Sequence, residues 1–536
     1  MRQPIQKNRS SSNALVFLFI LGTILLTLPH SLSAQATSPW NTIHHNYQLD
    51  QFGPSGTTNG TVGWIYAPNV KFLTSFSVGF ATPPTEGDLF IANGITENDT
   101  SYLRWVDPVS GGEIDKKLLG TSGFVQPLVT NFTDDGINMI YSGEAGKVRK
   151  WKTQTSPSNQ LIEIARTPTT NCGSPFDPRK CLPSGMIPGA YVVSNSFTGS
   201  ESERFLLFSG SVGLLPSNNY ALLYAVKRVP TGSGCNQNPP DPTNCTLEIY
   251  DSFDVKGYLL DIMEELTIVT IANTSAVGPD GTESEDLIYV LTSQSYLLAI
   301  PFKNTGTWQD CSVYSKRRSS TLGPPCFRTP AWVEHYGDPN SGSSPTVNED
   351  GDTVYVASGL GINPPGSVIV ALDAVTGGSR RTTDRLDGKV SASVAVKTTG
   401  SGSSRITQVY STVDNGSLWR FNDYPNATPS PHIDEAWHKK RLNGNECYAG
   451  YLGTNIRFNT ANPVLSSNGY VYAPFRDVAS GNQYAAGFST SGSGLNPTNC
   501  QWTRNLGSVA EVLGALTIGN NNRVYFPSQD GAREFK

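Results

Sequence analysis

The stretch SSPTVNEDGDTVYVASGLGINPPGSVIVALDAVTGG, from Ser343 to Gly378, carries the clearest structural signal in the chain. Within it, the segments TVYVAS and SVIVAL alternate apolar residues with other residues at a period of two, which is typical of half-buried β-strands. The dipeptide Asp350-Gly351 supplies the positive backbone angle that a tight hairpin requires. The stretch therefore predicts antiparallel strands joined by short turns.

The same unit recurs along the chain. In each copy, a short apolar strand carries a tyrosine or a phenylalanine and is followed by a turn. The copies align on Phe90, Tyr141, Phe208, Tyr289, Tyr355, Tyr410, Tyr472 and Tyr525. Their mean spacing of about 62 residues fits a four-stranded repeat that carries insertions.

Repeats of this length favour a β-propeller over an open solenoid, because closing the ring leaves few unpaired sheet edges. We predict an all-β fold, a single β-propeller of about eight four-stranded blades, with seven blades as the alternative. The chain ends soon after Tyr525, too early to complete four strands. Residues 62–78 offer the missing strands, so we expect N-terminal strands to close the ring.

The first residues have the three-part layout of a signal peptide. Three basic residues precede an apolar run from Ala14 to Leu28, and small residues around Ala36 follow. The run is shorter than the roughly 20 residues that a membrane span needs, so we predict cleavage after Ala36 and secretion. An uncleaved membrane anchor is the alternative. The predicted organisation is a signal peptide at 1–36, a leader at 37–61 and the propeller at 62–536.

Composition and charge limit the classes of partner. The chain has 52 glycines, 36 prolines and 15% charged residues, as expected of a turn-rich globular protein. Removing residues 1–36 moves the formal net charge from −5 to −8, because this segment has three basic residues and no acidic ones. An acidic protein repels phosphate backbones. We therefore expect no nucleic-acid partner, and membrane contact only if the signal segment stays uncleaved.

All eight cysteines follow the signal segment, and an even number in an exported chain predicts disulfides. Three neighbouring pairs are separated by 9, 10 and 15 positions, and each pair lies in one of the longest gaps between repeats. The expected pairs are Cys172–Cys181, Cys235–Cys245, Cys311–Cys326 and, by remainder, Cys447–Cys500. The first three would staple insertions, and the fourth would join neighbouring blades.

Asn-x-Ser/Thr triplets mark candidate glycosylation sites if the source is eukaryotic. The expected sites are Asn59, Asn98, Asn131, Asn273, Asn415 and Asn426. The triplet at Asn244 is set apart, because Cys245 occupies its middle position. Used sites must lie at the protein surface.

Two acidic loops leave calcium as the one cofactor that the sequence keeps open. Residues 280–286 and 349–352 carry several oxygen ligands at short spacing. Neither loop has the spacing of an EF-hand, and hairpin turns are rich in Asp and Gly, so we expect no bound cofactor. Trp105, Trp151 and Trp419 are considered as a ligand-stacking platform, although packing in the core is the favoured role.

The unit from Ser343 to Gly378 resembles the repeat of the pyrroloquinoline quinone-like (quinoprotein alcohol dehydrogenase-like) propellers. VDPVSGG at 106–112 is a looser match, and SPWNTIHHNYQLDQFGPSG, which begins at Ser38, resembles the leader of many such proteins. The family's blade-docking tryptophan is expected shortly after the TGG turn, but SRRTTDRL follows Gly378 here. The resemblance implies a propeller for most of residues 38–536.

The family resemblance implies two kinds of function. Its enzymes bind the quinone against adjacent cysteines, beside a calcium ion and a catalytic aspartate, but no two cysteines are adjacent here. Other members are non-catalytic binding or assembly propellers. We therefore expect a secreted, monomeric, non-enzymatic propeller that binds an extracellular protein or carbohydrate partner through its stapled loops, since long loops on rigid scaffolds usually carry recognition. The alternative is a quinone-dependent oxidoreductase acting on alcohols or sugars.

Overall fold

Short β-strands dominate the computed structural model of the chain, as the alternating sequence patterns predict. The structure describes residues 52–53, 61–66, 72, 76–79, 89–92, 100–120, 127–130, 139–144, 146–155, 157–169, 177, 179–183, 187–193, 205–212, 220–230, 245–259, 268–274, 285–303, 308–315, 325–336, 344–359, 366–386, 388–390, 392–428, 430–439, 456–458, 462–466, 469–490, 500–508, 516–519, 523–528 and 531–536. The predicted signal peptide lies outside these residues. Within them, one short helix, α1 (Val255–Tyr258), is present.

The strands of the described residues form seven hydrogen-bonded sheets, one of which has eight strands and contains two four-stranded halves. We number the strands in chain order and call the four-stranded units blades 1 to 8. Two N-terminal strands, β1 (Phe52–Gly53) and β2 (Val62–Tyr66), join the last two blades. Blade 1 contains β3 (Ser77–Val78), β4 (Leu89–Ala92), β5 (Ser101–Val106) and β6 (Glu113–Gly120). Blade 2 contains β7 (Leu128–Thr130), β8 (Met139–Glu144), β9 (Lys147–Gln154) and β10 (Gln160–Arg166).

Blade 3 contains β11 (Ile187–Val193), β12 (Leu206–Val212), β13 (Tyr220–Pro230) and β14 (Cys245–Asp254). Blade 4 contains β15 (Ile268–Thr274), β16 (Glu285–Thr292) and β17 (Tyr296–Lys303), and its fourth strand is split into β18 (Cys326–Phe327) and β19 (Trp332–His335). Blade 5 contains β20 (Thr346–Val347), β21 (Thr353–Gly359), β22 (Ser367–Asp373) and β23 (Arg381–Thr382). A parallel pair between β10 and β14 joins blades 2 and 3 into the eight-stranded sheet.

Blade 6 contains β24 (Ala395–Thr399), β25 (Ile406–Val413), β26 (Ser417–Tyr424) and β27 (His432–Lys439). Blade 7 contains β29 (Val464–Ser466), β30 (Tyr470–Asp477), β31 (Gln483–Ser489) and β32 (Cys500–Gly507), and β28 (Ile456–Phe458) pairs with β30. Blade 8 contains β33 (Thr517–Ile518), β34 (Val524–Ser528) and β35 (Gly531–Phe535), with β2 as its fourth strand.

The aromatic residues that align the repeats occupy one register position. Each lies on the second strand of its blade, as Tyr355 does on β21, opposite a residue of the first strand. Tyr289, Tyr355, Tyr410, Tyr472 and Tyr525 are buried. The repeat pattern therefore identifies the central strand of every blade.

Buried apolar clusters join each blade to the next. Leu103 and Trp105 of blade 1 pack with Ile140 and Trp151 of blade 2, for example. Further clusters connect blades 2, 3 and 4, blades 4 and 5, blades 5 and 6, and blades 6 and 7. The last cluster contains residues of blades 7, 8 and 1. The fold is thus a closed β-propeller, as predicted.

The N-terminal strand β2 closes this ring, which confirms the prediction made from residues 62–78. It pairs antiparallel with β35 at the C-terminus, with Val62 opposite Phe535. At the inner side, the Thr517 hydroxyl of blade 8 donates a 3.0 Å hydrogen bond to the Phe76 carbonyl just before blade 1. The two ends of the chain therefore share one blade.

Tryptophans of fourth strands dock on the turn of the following blade. Trp64 of blade 8 donates its indole N–H to the Pro108 carbonyl of blade 1 at 3.0 Å, and Trp332 of blade 4 donates to the Ala374 carbonyl of blade 5 at the same distance. A Cβ atom at Gly377 would lie 2.7 Å from the Trp332 ring. Its φ of 68° also favours glycine. The TGG turn is therefore a docking surface for the preceding blade.

Arginine replaces the docking tryptophan that the family resemblance predicts after Gly378. Arg381 on β23 forms a bidentate pair with Asp423 of blade 6, at 2.7 and 2.8 Å. The Tyr355 hydroxyl donates to the same carboxylate at 2.8 Å. A buried ion pair thus joins blades 5 and 6, whereas a tryptophan makes the docking contact of blades 4 and 8.

The leader contributes a strand of its own. β1 pairs in parallel with β29, the first strand of blade 7, so that Phe52 lies opposite Leu465. It also contacts β24, the first strand of blade 6. Because the first strands of successive blades contact one another around the axis, β1 lies on the axial side of blade 7.

Replacing Trp64 with alanine should destabilise the ring by about 3–5 kcal/mol, the usual range for truncating a buried tryptophan. The change removes the contacts with Tyr525 and the hydrogen bond to Pro108. Urea unfolding of the purified protein measures the effect. Ile65→Ala is the matched control, because Ile65 lies on the same strand with 54% of its surface exposed. Equal unfolding midpoints for the two variants would contradict the closing role of Trp64.

Candidate functional site: a disulfide-anchored loop on blades 3 and 4

Cys311 and Cys326 form a disulfide, as their 15-residue separation suggests. Cys326 begins β18, and a short 3₁₀ turn (Trp308–Asp310) precedes Cys311. We call residues 308–315 the anchored loop. The Ser312 N–H donates to the Phe327 carbonyl at 3.0 Å, which adds a backbone contact beside the disulfide. The loop is therefore fixed to the outer strand of blade 4.

The anchored loop also pairs with the outer strand of blade 3. The Asp254 N–H donates to the Tyr314 carbonyl at 3.1 Å, and Ser315 forms an antiparallel bridge with Phe253. Asp310 faces Arg328 at 3.6 Å on the blade 4 side. The loop thus spans two blades and is held on both.

Asp251 is the buried centre of this arrangement. The Ser315 hydroxyl lies 2.7 Å from each carboxylate oxygen, and the Phe327 N–H donates to one of them at 2.8 Å. The carboxylate also accepts the Ser252 N–H at 2.8 Å. One fully buried side chain of blade 3 therefore holds both the loop and β18 of blade 4.

The exposed end of the loop is apolar. Val313 is 82% exposed at the apex of a turn that the Ser315 N–H closes onto the Ser312 carbonyl at 3.0 Å. Tyr314 packs edge to face against Tyr258 of α1, with ring centroids 5.3 Å apart. Burial, and the neighbouring Tyr314, raise the pKa of Tyr258. We call Val313, Tyr314 and Tyr258 the apolar tip.

The remaining predicted disulfides are described in part. Cys181 and Cys245 are both disulfide-bonded and buried. Cys172, Cys235 and Cys447 lie outside the described residues, and Cys500 is described only as the first residue of β32. Those pairings stay predictions.

The acidic loop at 349–352 meets an arginine. Arg405 donates to a carboxylate oxygen of Asp352 at 2.7 Å, and its Nε lies 3.6 Å from Asp350. Burial alone would raise the pKa of Asp352, but hydrogen bonds from Arg405 and Asn348 outweigh it and lower the pKa. Arg405 is thus a positively charged partner of two carboxylates in this loop. Most of the other loop, 280–286, lies outside the described residues.

The three tryptophans considered as a ligand platform are buried between blades. Trp105 and Trp151 lie between blades 1 and 2, and Trp419 lies between blades 5 and 6. The Trp151 indole N–H donates to the Ser142 hydroxyl at 2.8 Å. They pack the core and present no ligand surface.

Two of the predicted glycosylation sites have described side chains. Asn426 is exposed in the turn between β26 and β27, and its amide donates to the Gly402 carbonyl at 2.9 Å. Asn415 is half-buried, and its side-chain oxygen accepts the Ser417 N–H at 3.0 Å. Asn273 is described only as part of β15, and the structure does not describe Asn59, Asn98 and Asn131.

Sequence reasoning missed Asp251, although a signal for it exists. In CTLEIYDSFD, Cys245, Leu247 and Ile249 alternate as the buried face of β14, and Asp251 continues that alternation. A carboxylate on a buried register needs hydrogen-bond donors from elsewhere in the fold. Those donors are 64 and 76 positions away, so the sequence does not reveal them.

The described residues contain no cluster of three or more histidine, cysteine, aspartate or glutamate side chains arranged to hold a metal ion. No helix in that part of the chain is sufficiently long and apolar to cross a membrane.

Solved structures resemble the chain weakly. A europium-containing methanol dehydrogenase matches at 10% identity, covering 91% of this chain and 88% of its own, with a TM-score of 0.38. The C-terminal domain of PilY1 from Pseudomonas aeruginosa gives 10% identity, coverages of 84% and 92%, and a TM-score of 0.38. A quinoprotein alcohol dehydrogenase-like protein from Bacteroides thetaiotaomicron gives 10% identity and a TM-score of 0.31. This match covers 81% of this chain and 66% of the other. No family model and no curated protein matches the sequence. None of these similarities assigns a function.

Removing the disulfide with Cys311→Ser and Cys326→Ser should lower the free energy of unfolding by about 3 kcal/mol, the loop-closure value for a loop of this length. It should also speed tryptic cleavage after Lys316, Arg317 or Arg318, because the loop then loses its covalent attachment to β18 and keeps only noncovalent contacts. Val313→Ser is the control, since it keeps the disulfide and alters an exposed side chain. Unchanged stability and cleavage in the double variant would show that the disulfide does not fix the loop.

Glycan occupancy should differ between the two described sequons in a eukaryotic host. We expect Asn426 to be occupied, because its side chain is exposed, and Asn415 to be occupied less, because its half-buried amide is fixed in a turn. Mass spectrometry of peptides before and after glycan removal measures both sites in one sample. Higher occupancy at Asn415 would overturn this order.

Proposed function

We propose that the chain is an exported β-propeller that binds an extracellular protein or carbohydrate partner through its disulfide-stapled insertions. The anchored loop carries this proposal. It combines a disulfide, a buried carboxylate and backbone pairing on two blades with an exposed tip. Loops positioned on rigid scaffolds are where binding residues concentrate.

Rigid anchoring favours recognition for a thermodynamic reason. A flexible loop pays about 0.5–1.5 kcal/mol for each side chain that is immobilised on binding. Ordering the backbone of a flexible loop adds to this cost. In the anchored loop, folding has already ordered the backbone before a partner binds. Burial of the Asp251 carboxylate costs desolvation free energy, which several hydrogen-bond donors must offset. A loop that only connects two strands does not require such a buried carboxylate.

A quinone-dependent oxidoreductase acting on alcohols or sugars is the second function that the family resemblance implies. The residues present do not fit the quinone, because the chain has no adjacent cysteines to form the ring disulfide. The leader strand β1 lies on the axial side of blade 7, where it fills part of the space beside the inner strands. Both observations favour binding at the outer loops over chemistry at the axis.

Labelled mature protein, residues 37–536, should bind saturably to the immobilised extracellular matrix fraction of the producing cells. The test variant replaces residues 316–324, which follow the anchored loop between Cys311 and Cys326, with a Gly/Ser segment of equal length. The control makes the same exchange at residues 275–283, an unstapled insertion of nine residues as well. We expect at least a tenfold loss of affinity for the stapled exchange and less than twofold for the control.

Two outcomes would count against the proposal. If the wild-type protein shows no saturable retention that unlabelled protein displaces, binding to such a partner is not its function. If the stapled exchange binds like the wild type while melting temperatures agree, this insertion is not part of the binding surface. Turnover of an alcohol or a sugar on addition of the quinone and calcium would instead favour the oxidoreductase.

A further inference from the structure

We propose that a polar strip on blade 6 binds an acidic oligosaccharide, and that Arg420 recognises a carboxylate of this ligand. The polar strip consists of Gln408 on β25 and of Arg420, Asn422 and Tyr424 on β26, all of them half-buried. This site goes beyond the proposed function, because it lies on blade 6 and not on the stapled insertions.

The polar strip continues the face of blade 6 that packs against blade 7. Leu418 belongs to this face and lies in an apolar cluster with Leu465 of blade 7. Because side chains alternate along a strand, Arg420, Asn422 and Tyr424 lie on the same face as their neighbour Leu418. Leu418 is buried, whereas the three residues that follow on this face are only half-buried. Blade 7 thus covers the apolar end of the face and leaves the polar end partly open to solvent.

Arg420 is a half-buried cation without a counter-ion. No ion pair joins its guanidinium to a carboxylate of the described residues. Its two hydrogen bonds are long, to the Thr490 carbonyl at 3.2 Å and to the Asn422 side-chain oxygen at 3.3 Å, and its buried Nε has no acceptor in this part of the structure. Other buried or half-buried arginines do pair with carboxylates: Arg104, Arg149, Arg328, Arg381, Arg405 and Arg523. Partial desolvation of an unpaired cation costs free energy, which a bound anion would offset.

The titratable groups beside Arg420 on the sheet do not supply this anion. Tyr410 lies opposite Arg420 in the register of β25 and β26. Burial raises the pKa of Tyr410 to about 12, although the charge of Arg420 lowers it, so the hydroxyl is neutral. It donates to the Gln408 side-chain oxygen at 2.9 Å. Asp434 on β27 lies 3.3 Å from His432 and forms no ion pair with Arg420. The charge of Arg420 is therefore left for a ligand.

The groups around Arg420 fit a sugar that carries a carboxylate. A guanidinium binds a carboxylate through two parallel hydrogen bonds. Gln408 and Asn422 lie opposite each other beside it, and their amides both donate and accept hydrogen bonds, as sugar hydroxyls do. The Gln408 oxygen accepts from Tyr410, so its NH2 group is the end that is left to donate. A uronate residue presents both the carboxylate and the hydroxyls.

The polar strip ends at a flat aromatic pair. Tyr424 stacks on His432, with ring centroids 4.9 Å apart and an interplanar angle of 28°, and the His432 side chain is 46% exposed. The face of an aromatic ring carries partial negative charge and attracts the C–H groups of a sugar. Tyr424 lies four positions beyond Arg420, a distance of about 13 Å along an extended strand. This distance is longer than one sugar ring, so the ligand that fits the whole strip is an oligosaccharide.

The same arrangement does not fit an acidic peptide. Peptides bind to sheets at an exposed edge strand or bind in apolar grooves, and acidic motifs bind to clusters of arginines. The polar strip lies on β25 and β26, which are the two central strands of their four-stranded sheet. It contains one arginine and no aliphatic side chain that could anchor a protein. These features favour a carbohydrate over a protein.

The experiment uses mature protein, residues 37–536, and defined polymers. Polygalacturonate, alginate and hyaluronate are the uronate probes, and polyglutamate offers the same carboxylates on a peptide. Titrations at about 0.15 M NaCl limit the contribution of exposed charges. Arg420→Gln is the test variant. Arg476→Gln is the matched control, because Arg476 is an exposed arginine on β30 of blade 7.

We expect saturable binding of at least one uronate polymer. Reduction of its carboxylates to alcohols, or Arg420→Gln, should weaken binding at least tenfold, because either change removes a charge-assisted pair of hydrogen bonds. Arg476→Gln should change the affinity less than twofold. Arg420→Gln should keep the wild-type melting temperature, because it breaks no ion pair within the described residues. If its melting temperature falls, Arg420→Lys must weaken binding at wild-type stability.

Three results would overturn the carbohydrate site. They are the absence of binding to all three uronate polymers, wild-type affinity of the Arg420 variants, and tighter binding of polyglutamate than of any uronate polymer. None of them bears on the stapled insertions, whose exchange is tested separately on the matrix fraction. Failure of this site and failure of the proposed function are therefore distinguishable.

Discussion

The pairing of β2 with β35 is the constraint on which the rest of the structure depends. A propeller blade cannot bury both of its faces by itself, and each cluster of the core is shared between neighbouring blades. Blade 8 draws its first three strands from the C-terminus and its fourth from residues 62–66. If this pairing is lost, blades 8 and 1 both expose a face, and the unpaired β35 becomes an open edge. Ring closure therefore makes packing cooperative across more than 470 positions of sequence.

At the contact between blades 5 and 6, an ion pair takes the place of the docking tryptophan. In blades 4 and 8 the fourth strand supplies a tryptophan, but in blade 5 Arg381 reaches the carboxylate of Asp423. Burial alone would lower the pKa of Arg381, and Asp423 outweighs this effect and raises it. Burial and the nearby Asp423 also raise the pKa of Tyr355, which keeps its hydroxyl a donor. A buried pair of this kind adds little net stability, but losing one partner leaves a charge without compensation. Its effect is to fix the register of two blades.

The sequence predicts the scaffold well because the scaffold repeats. The aligned aromatics mark the second strand of each blade, and the strand pattern within residues 62–78 correctly indicates an N-terminal strand that closes the ring. The docking tryptophans were harder to see. Trp332 and Trp502 occupy matching register positions on fourth strands, but insertions vary their spacing. Asp251 could be placed on a buried face, yet its partners come from the next blade and from a loop outside the repeat. The repeat pattern predicts the strands and buried positions that all blades share. The candidate site is formed by residues that are specific to blades 3 and 4.

The features that differ between blades are the candidates for binding a partner. The inner strands carry the same short apolar pattern in successive blades, and β1 adds backbone beside those of blades 6 and 7. In the acidic turn at 349–352, the carboxylates of Asp350 and Asp352 lie beside the Arg405 guanidinium of blade 6. The anchored loop differs from both, because its serine hydroxyls are hydrogen-bonded within the fold while the side chain of Val313 is exposed. A loop that is held on two blades by a disulfide, a buried carboxylate and backbone hydrogen bonds keeps one backbone geometry without a partner, which reduces the conformational entropy lost on binding.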